Sequence, residues 1–75
     1  MNKTLLLSSF GKILKQKRTN KGLSQEDLGF VSKLDRTYIS GLERGIRNPT
    51  LSVLYQISTA LNITLSSLLE NIEEK

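Results

Sequence analysis

The chain has 75 residues, of which 37% are apolar, and it contains two Phe, two Tyr and no Trp. This length allows one domain, residues 1–75, with a small aliphatic core. The absence of Cys excludes disulfides and thiolate metal sites. Because His is also absent, the sequence offers few groups for catalysis, and we do not expect an enzyme.

Positive charge is concentrated near the start of the chain. The net charge is +4, and residues 1–21 contain six basic side chains and no acidic one. This distribution favours a polyanionic partner such as nucleic acid, although a solvated Lys-rich helix explains it equally well.

No segment approaches the roughly 20 apolar residues of a membrane span. The apolar run at residues 5–7 is also shorter than the roughly 7–15 apolar residues of a signal peptide. We therefore expect a soluble cytoplasmic protein with no membrane partner.

Apolar periodicity predicts five helices and no strand, over about residues 9–21, 24–32, 35–44, 50–61 and 64–73. The predicted N-terminal capping residues are Ser8 or Ser9, Ser24, Asp35, Thr50 and Thr64. Asp27 completes a capping box with Ser24. The residues expected on the inner faces of the first four helices include Phe10, Ile13, Leu14, Leu28, Val31, Ile39, Leu42, Leu54, Ile57 and Leu61.

The third predicted helix begins with side chains that can reach phosphates and base edges. Arg36 is the main candidate base reader, because its guanidinium can bind guanine O6 and N7 together. A phosphate contact or a solvent-facing position is the alternative. Thr37 offers a hydroxyl or a methyl group, and Ser40 offers a hydroxyl. Tyr38 either contacts DNA or packs on the second helix.

A second group of side chains suits phosphate binding, which positions a protein on DNA without reading its sequence. Gln25 begins the second predicted helix, where its amide and the free N–H groups can hold a phosphate. The remaining candidates are basic or amide residues near the ends of the first and third helices: Lys17, Arg44, Arg47 and Asn48.

Three segments carry a resemblance to a known family: Leu23-Ser-Gln-Glu-Asp-Leu, Asp35-Arg-Thr-Tyr-Ile-Ser-Gly-Leu-Glu-Arg-Gly and Asn48-Pro-Thr-Leu. They resemble the helix-turn-helix family of phage Cro and repressor proteins. Within it, they look most like the controller proteins of bacterial restriction–modification systems. The resemblance implies an all-α, five-helix, lambda-repressor-like fold that binds double-stranded operator DNA.

The resemblance also implies an ion pair between Arg18 and Glu43 that ties two helices together. One position departs from the family pattern, since Lys33 stands where a positive φ normally selects Gly or Asn. Either the turn differs slightly at this position, or the chain tolerates a strain of about 1 kcal/mol for a Lys in that conformation. We expect Ser32 to lie in a small buried site and Gly29 to let the third helix approach closely.

DNA reading by one short helix implies a homodimer on a pseudo-palindromic operator. The expected interface consists of apolar residues on the last two helices: Val53, Tyr55, Leu65, Leu68, Leu69 and Ile72. The alternative is that some of these leucines complete the monomer core.

The predicted function is a transcriptional regulator that both activates and represses, with RNA polymerase as a further partner and no cofactor or small-molecule ligand. A phage-type repressor, an antitoxin-like regulator and a helical interaction module remain as alternatives.

Overall fold

The computed structural model describes residues 1–74, which form helices and no strand. The elements are α1 (Lys3–Asn20), α2 (Gln25–Ser32), α3 (Arg36–Glu43), α4 (Leu51–Ala60), α5 (Leu65–Leu68) and a C-terminal 3₁₀ helix (Ile72–Glu74). The predicted all-α fold is therefore confirmed. None of these helices combines the length and the apolar character that crossing a membrane requires.

Helix α1 begins six residues earlier than predicted. The side chain of Asn2 caps it, with the Leu5 N–H donating to Asn2 Oδ1 at 2.8 Å. The prediction that Ser8 or Ser9 is the cap is wrong, because both lie within the helix and Ser9 is buried. Asn is a strong N-cap, and the leucines that follow it are good helix formers.

The other helix starts agree with the capping predictions, with one difference in detail. Ser24 and Asp27 form the reciprocal capping box of α2, and each of its two hydrogen bonds is 2.9 Å long. Thr50 and Thr64 cap α4 and α5 through their hydroxyls. Asp35 occupies the N-cap position of α3, but its side chain makes no capping hydrogen bond.

The fifth helix is much shorter than predicted. Its regular part covers only Leu65–Leu68, where residues 64–73 were expected. Asn71 has a φ of 58°, in the left-handed region that ends helices. Apolar periodicity continues through Ile72, but this residue belongs to the separate 3₁₀ helix.

One core, aliphatic except for Phe10, joins all five α-helices. Its buried members are Phe10, Leu14, Leu28, Ile39, Leu42, Ile57, Leu61 and Leu68. Val31 was expected to be buried, but its side chain is 49% exposed. The buried residues of the eight-residue α2 are instead Leu28, Gly29 and Ser32. Because Gly29 and Ser32 are small, neighbouring elements can approach this side of the helix closely.

The turn between α2 and α3 keeps the left-handed conformation of the family pattern in spite of the Lys at this position. Lys33 adopts a φ of 61° and a ψ of 32°, which is left-handed backbone. A Cβ on Gly29 would lie 2.8 Å from the Leu34 carbonyl oxygen, so this glycine permits the close return of the chain. Gln56 of α4 donates to the Ser32 carbonyl at 2.6 Å and fixes this turn to the rest of the fold.

Candidate nucleic-acid interface

Helix α3 has two chemically different sides. Ile39 and Leu42 lie in the core with no exposed surface, and they fix the helix against α1 and α2. Arg36 and Thr37, near the start of the helix, are exposed. Burial of the apolar side therefore determines which polar side chains face outward.

A shallow cleft brings together side chains from α2 and α3. It is lined by Gln25, Arg36, Thr37 and Ser40. Three of the four predicted base-reading residues thus lie beside the predicted phosphate-binding amide. Gln25 is the first residue of α2, so free backbone N–H groups also lie at this end of the helix.

The predicted ion pair between Arg18 and Glu43 is present below this cleft. Arg18 Nε donates to Glu43 Oε2 at 2.6 Å, and Arg18 Nη2 donates to Glu43 Oε1 at 3.0 Å. The two side chains are only 9% and 4% exposed. The hydrogen bond to Glu43 raises the pKa of Arg18 further above its already high ordinary value. The guanidinium therefore compensates the carboxylate charge near a surface suited to phosphate.

Two further hydrogen bonds extend this pair into a network. Gln25 Nε2 donates to Glu43 Oε1 at 3.1 Å, and Arg18 Nη1 donates to the Leu23 carbonyl at 2.7 Å. Glu43 therefore holds the amide of Gln25 in place, while the remaining amide N–H is available to a ligand. The sequence alone does not reveal this link, because residues 25 and 43 show no local pattern that relates them.

Tyr38 is the one predicted base-reading residue that does not line this cleft. It is half-buried and packs against the core cluster. Part of its side chain remains accessible, but its ring has a structural partner.

The predicted phosphate-binding residues do not all lie together. Arg44, Arg47 and Asn48 are exposed and follow α3 directly. Lys17 lies in a different cleft, which also contains Glu70 and Asn71. The structure therefore does not bring Lys17 to the cleft that Gln25 and Arg36 line.

The predicted dimer residues fall into three groups. Tyr55 is 64% exposed and lies one helical turn after Leu51, which is 69% exposed. Half-buried residues that pack on the core form the second group: Val53, Leu65, Leu69 and Ile72. Leu68 has no exposed surface, so its assignment to a dimer surface is wrong. It completes the core of its own chain.

The chain matches the helix-turn-helix family model over residues 14–68. It is 48% identical over 67 residues to the control protein C.MunI of Mycoplasma sp, covering 88% of this chain and 90% of that protein. The crystal structure of the restriction–modification controller protein C.AhdI from Aeromonas hydrophila is similar, with a TM-score of 0.81 and 50% identity. This similarity covers 83% of this chain and 94% of that one.

A second solved structure shows a related protein on DNA. The controller protein C.Esp1396I, described as a tetramer in complex with its natural 35 base-pair operator, has a TM-score of 0.83 and 42% identity. The similarity covers 92% of this chain and 91% of that one. The matched residues 14–68 include α2, α3 and the turn between them. The chain therefore belongs to the helix-turn-helix family, and it resembles the restriction–modification controller proteins within that family.

Proposed function

We propose that this protein is a sequence-specific DNA-binding transcriptional regulator of the restriction–modification controller type. The observation that carries the proposal is the cleft where Gln25 of α2 meets Arg36, Thr37 and Ser40 of α3. It combines a residue suited to phosphate with residues suited to base edges. In this proposal, α3 enters the major groove and the start of α2 meets the DNA backbone.

Arg36 carries the main base contact. Its side chain is exposed near the first turn of α3, and a guanidinium matches the two acceptors of guanine in the major groove. Thr37 and Ser40 add hydroxyls beside it. Gln25 serves as the phosphate contact, because Glu43 already orients its amide at 3.1 Å.

Backbone contacts come from the residues that follow the recognition helix. Arg44 and Arg47 are exposed cations, and Asn48 is an exposed amide, all within five residues of the end of α3. Such contacts make binding strongly dependent on salt, because each phosphate that is neutralised releases counterions. Lys17 is not included, since it lies in the cleft with Glu70.

The regulator acts as a homodimer on a pseudo-palindromic operator. The apolar surface that supports this assembly is the exposed stripe of α4 formed by Leu51 and Tyr55. Val53 lies on the opposite side of this helix and packs on the core, so it adds little to the stripe. Two copies related by a two-fold axis place two α3 helices about one DNA turn apart, roughly 34 Å. Half-buried Leu65, Leu69 and Ile72 contribute only the surface that the core leaves uncovered.

Regulation follows from where the dimers lie relative to a promoter. One dimer recruits RNA polymerase, and a second dimer on an adjacent site blocks it, so the protein activates at low dose and represses at high dose. The oligomeric complex of C.Esp1396I with its operator supports this arrangement by analogy. Such a protein works in the cytoplasm, where its DNA is located.

Selection from a random duplex library, followed by footprinting of the best sequence, tests the proposal. We expect an enriched sequence with two-fold symmetry and affinity that falls steeply with salt. Sedimentation without DNA at micromolar concentration should show a dimer. Equal affinity for all duplexes would refute sequence-specific reading, and a monomer in free and bound states would refute the dimer.

A further inference from the structure

The end of α3 folds the following loop back along the helix. Gly45 has a φ of 77°, and its N–H donates to the Leu42 carbonyl at 3.1 Å. The N–H of Ile46 donates to the Gly41 carbonyl at 3.0 Å. This pair of bonds is the Schellman arrangement that reverses a chain after a helix. It brings Arg47 beside Gly41.

The side chain of Arg47 lies directly against Gly41. A Cβ on Gly41 would lie 2.6 Å from Arg47 Cγ, 3.6 Å from Cδ and 3.4 Å from Nε. These are the three nearest atoms to that position. Gly41 is buried, and the aliphatic part of the Arg47 side chain lies closest to the position that its Cβ would occupy.

The position of Gly41 on α3 determines where the Arg47 side chain runs. Gly41 lies four residues after Thr37, which places the two on the same face of the helix. Thr37 is exposed and lines the cleft with Arg36. The Arg47 stem therefore lies along the side of α3 that carries the candidate base-reading residues.

We propose that Gly41 is a positioning residue for Arg47. The missing side chain at residue 41 leaves a seat for the arginine stem, and the seat holds the guanidinium beside the DNA-facing side of α3 before DNA binds. Binding then requires less ordering of a long flexible side chain. This inference rests on the proposed function, since it assigns Arg47 to the DNA-binding surface.

Adding a single methyl group at residue 41 should displace Arg47. In Gly41→Ala, the new Cβ occupies the position now taken by the arginine stem, so the flexible side chain must move. Losing one pre-ordered arginine weakens operator binding by about two- to twelvefold. Alanine is a better helix former than glycine, which offsets part of the cost of moving Arg47 Cγ away from the new methyl group, so the variant should remain folded, as thermal denaturation can check.

A double-mutant cycle separates this role from other roles of Gly41. Operator affinity is measured for the unaltered protein, Gly41→Ala, Arg47→Ala and the double variant, using the sequence obtained by selection. We expect Gly41→Ala to weaken binding when Arg47 is present and to have no further effect in the Arg47→Ala background. An equal loss in both backgrounds would overturn the inference, because the methyl group would then meet the DNA itself. No loss in either background would also overturn it.

A measurement without DNA keeps the test independent of the proposed function. The order parameter of the Arg47 Nε–H in the free protein should be lower in Gly41→Ala than in the unaltered protein, with that of Arg44 unchanged as the internal control. An unchanged order parameter for Arg47 would overturn the inference that Gly41 holds its side chain in place. If no operator can be selected, the proposed function fails, while this measurement still decides whether Gly41 orders Arg47.

Discussion

The two sides of α3 perform different tasks within eight residues. Its inner side places Ile39 and Leu42 in the core and joins Glu43 to Arg18 through a buried ion pair. Its outer side exposes Arg36 and Thr37 next to Gln25. Changes on the inner side should therefore appear in unfolding experiments, whereas changes on the outer side should appear in DNA affinity. Gln25 connects the two sides, because its amide lies in the cleft and donates to Glu43.

The largest effect is expected from Glu43→Ala on the inner side. This change leaves the Arg18 guanidinium buried without its bidentate partner and removes the acceptor of Gln25. Breaking one half of a buried pair costs about 3–5 kcal/mol. We expect this loss in the free energy of unfolding, measured by chemical denaturation, with the exposed Glu26→Ala as the control.

A double replacement sharpens this prediction. Arg18→Met combined with Glu43→Leu removes both charges and fills a similar volume. The double variant should therefore lose less free energy of unfolding than Glu43→Ala alone. A Glu43→Ala protein with unchanged stability would show that the ion pair does not hold α1 and α3 together.

On the outer side, Arg36→Ala should reduce operator affinity by about 1–3 kcal/mol and relax the preference at one base position. Stability should not change, because Arg36 is exposed. The measurement is a set of binding curves on operators substituted at each position in turn.

Arg44→Ala is the matched control for Arg36→Ala. Arg44 is also an exposed arginine, but it lies at the end of α3 and should bind a phosphate. Its replacement should weaken all operators by a similar factor and reduce the salt dependence. If Arg36→Ala has this uniform effect instead, Arg36 is a phosphate contact and not a base reader.

A change in the turn between α2 and α3 should have a smaller effect on stability, and this effect should be a gain where Glu43→Ala gives a loss. Lys33 has a φ of 61°, which costs this residue about 1 kcal/mol. Glycine relieves this strain but adds freedom to the unfolded chain, so Lys33→Gly should stabilise by about 1 kcal/mol or less. Thermal denaturation measures the gain. Asn62→Gly, at a φ of 57°, is the control and should gain less, because Asn tolerates this conformation.

Sequence patterns predicted the helices and most of the core because capping and periodicity are local signals. The capping box at Ser24 depends only on nearby residues, whereas the left-handed conformation at residue 33 and the burial of Ser32 were expected through the family resemblance. The Arg18–Glu43 pair spans two helices and was expected only through the family resemblance.

Predictions failed where distant parts of the chain decide the outcome. Val31 and Leu68 belong to similar apolar patterns, yet one is exposed and the other fully buried, because only the packed helices define which face is covered. The contact between Gly41 and Arg47 also depends on a chain reversal at Gly45. In the same way, Gly11 is required because α1 meets the backbone of α3, where an added Cβ would lie 2.7 Å from the Leu42 carbonyl oxygen.

The smallest expected effect concerns the first turn of α2, which carries Gln25 into the cleft. The Ser24 backbone N–H and the Ser24 side chain hydrogen-bond to Asp27 and lower the pKa of its carboxyl. A carboxyl with a lower pKa in the folded state adds stability above its unfolded pKa, and this contribution disappears as pH falls through the folded value. Asp27→Asn should therefore be less stable than the unaltered protein near neutral pH, and the difference should shrink below about pH 4.

Chemical denaturation at neutral and acidic pH measures this difference. Glu26→Gln is the control, because Glu26 lies in the same first turn and shares the favourable interaction with the helix N-terminus. Only Asp27 forms the reciprocal bonds with Ser24. A pH-dependent loss confined to Asp27→Asn would assign it to the capping box. An equal loss in both variants would assign it to the interaction of both carboxylates with the helix dipole.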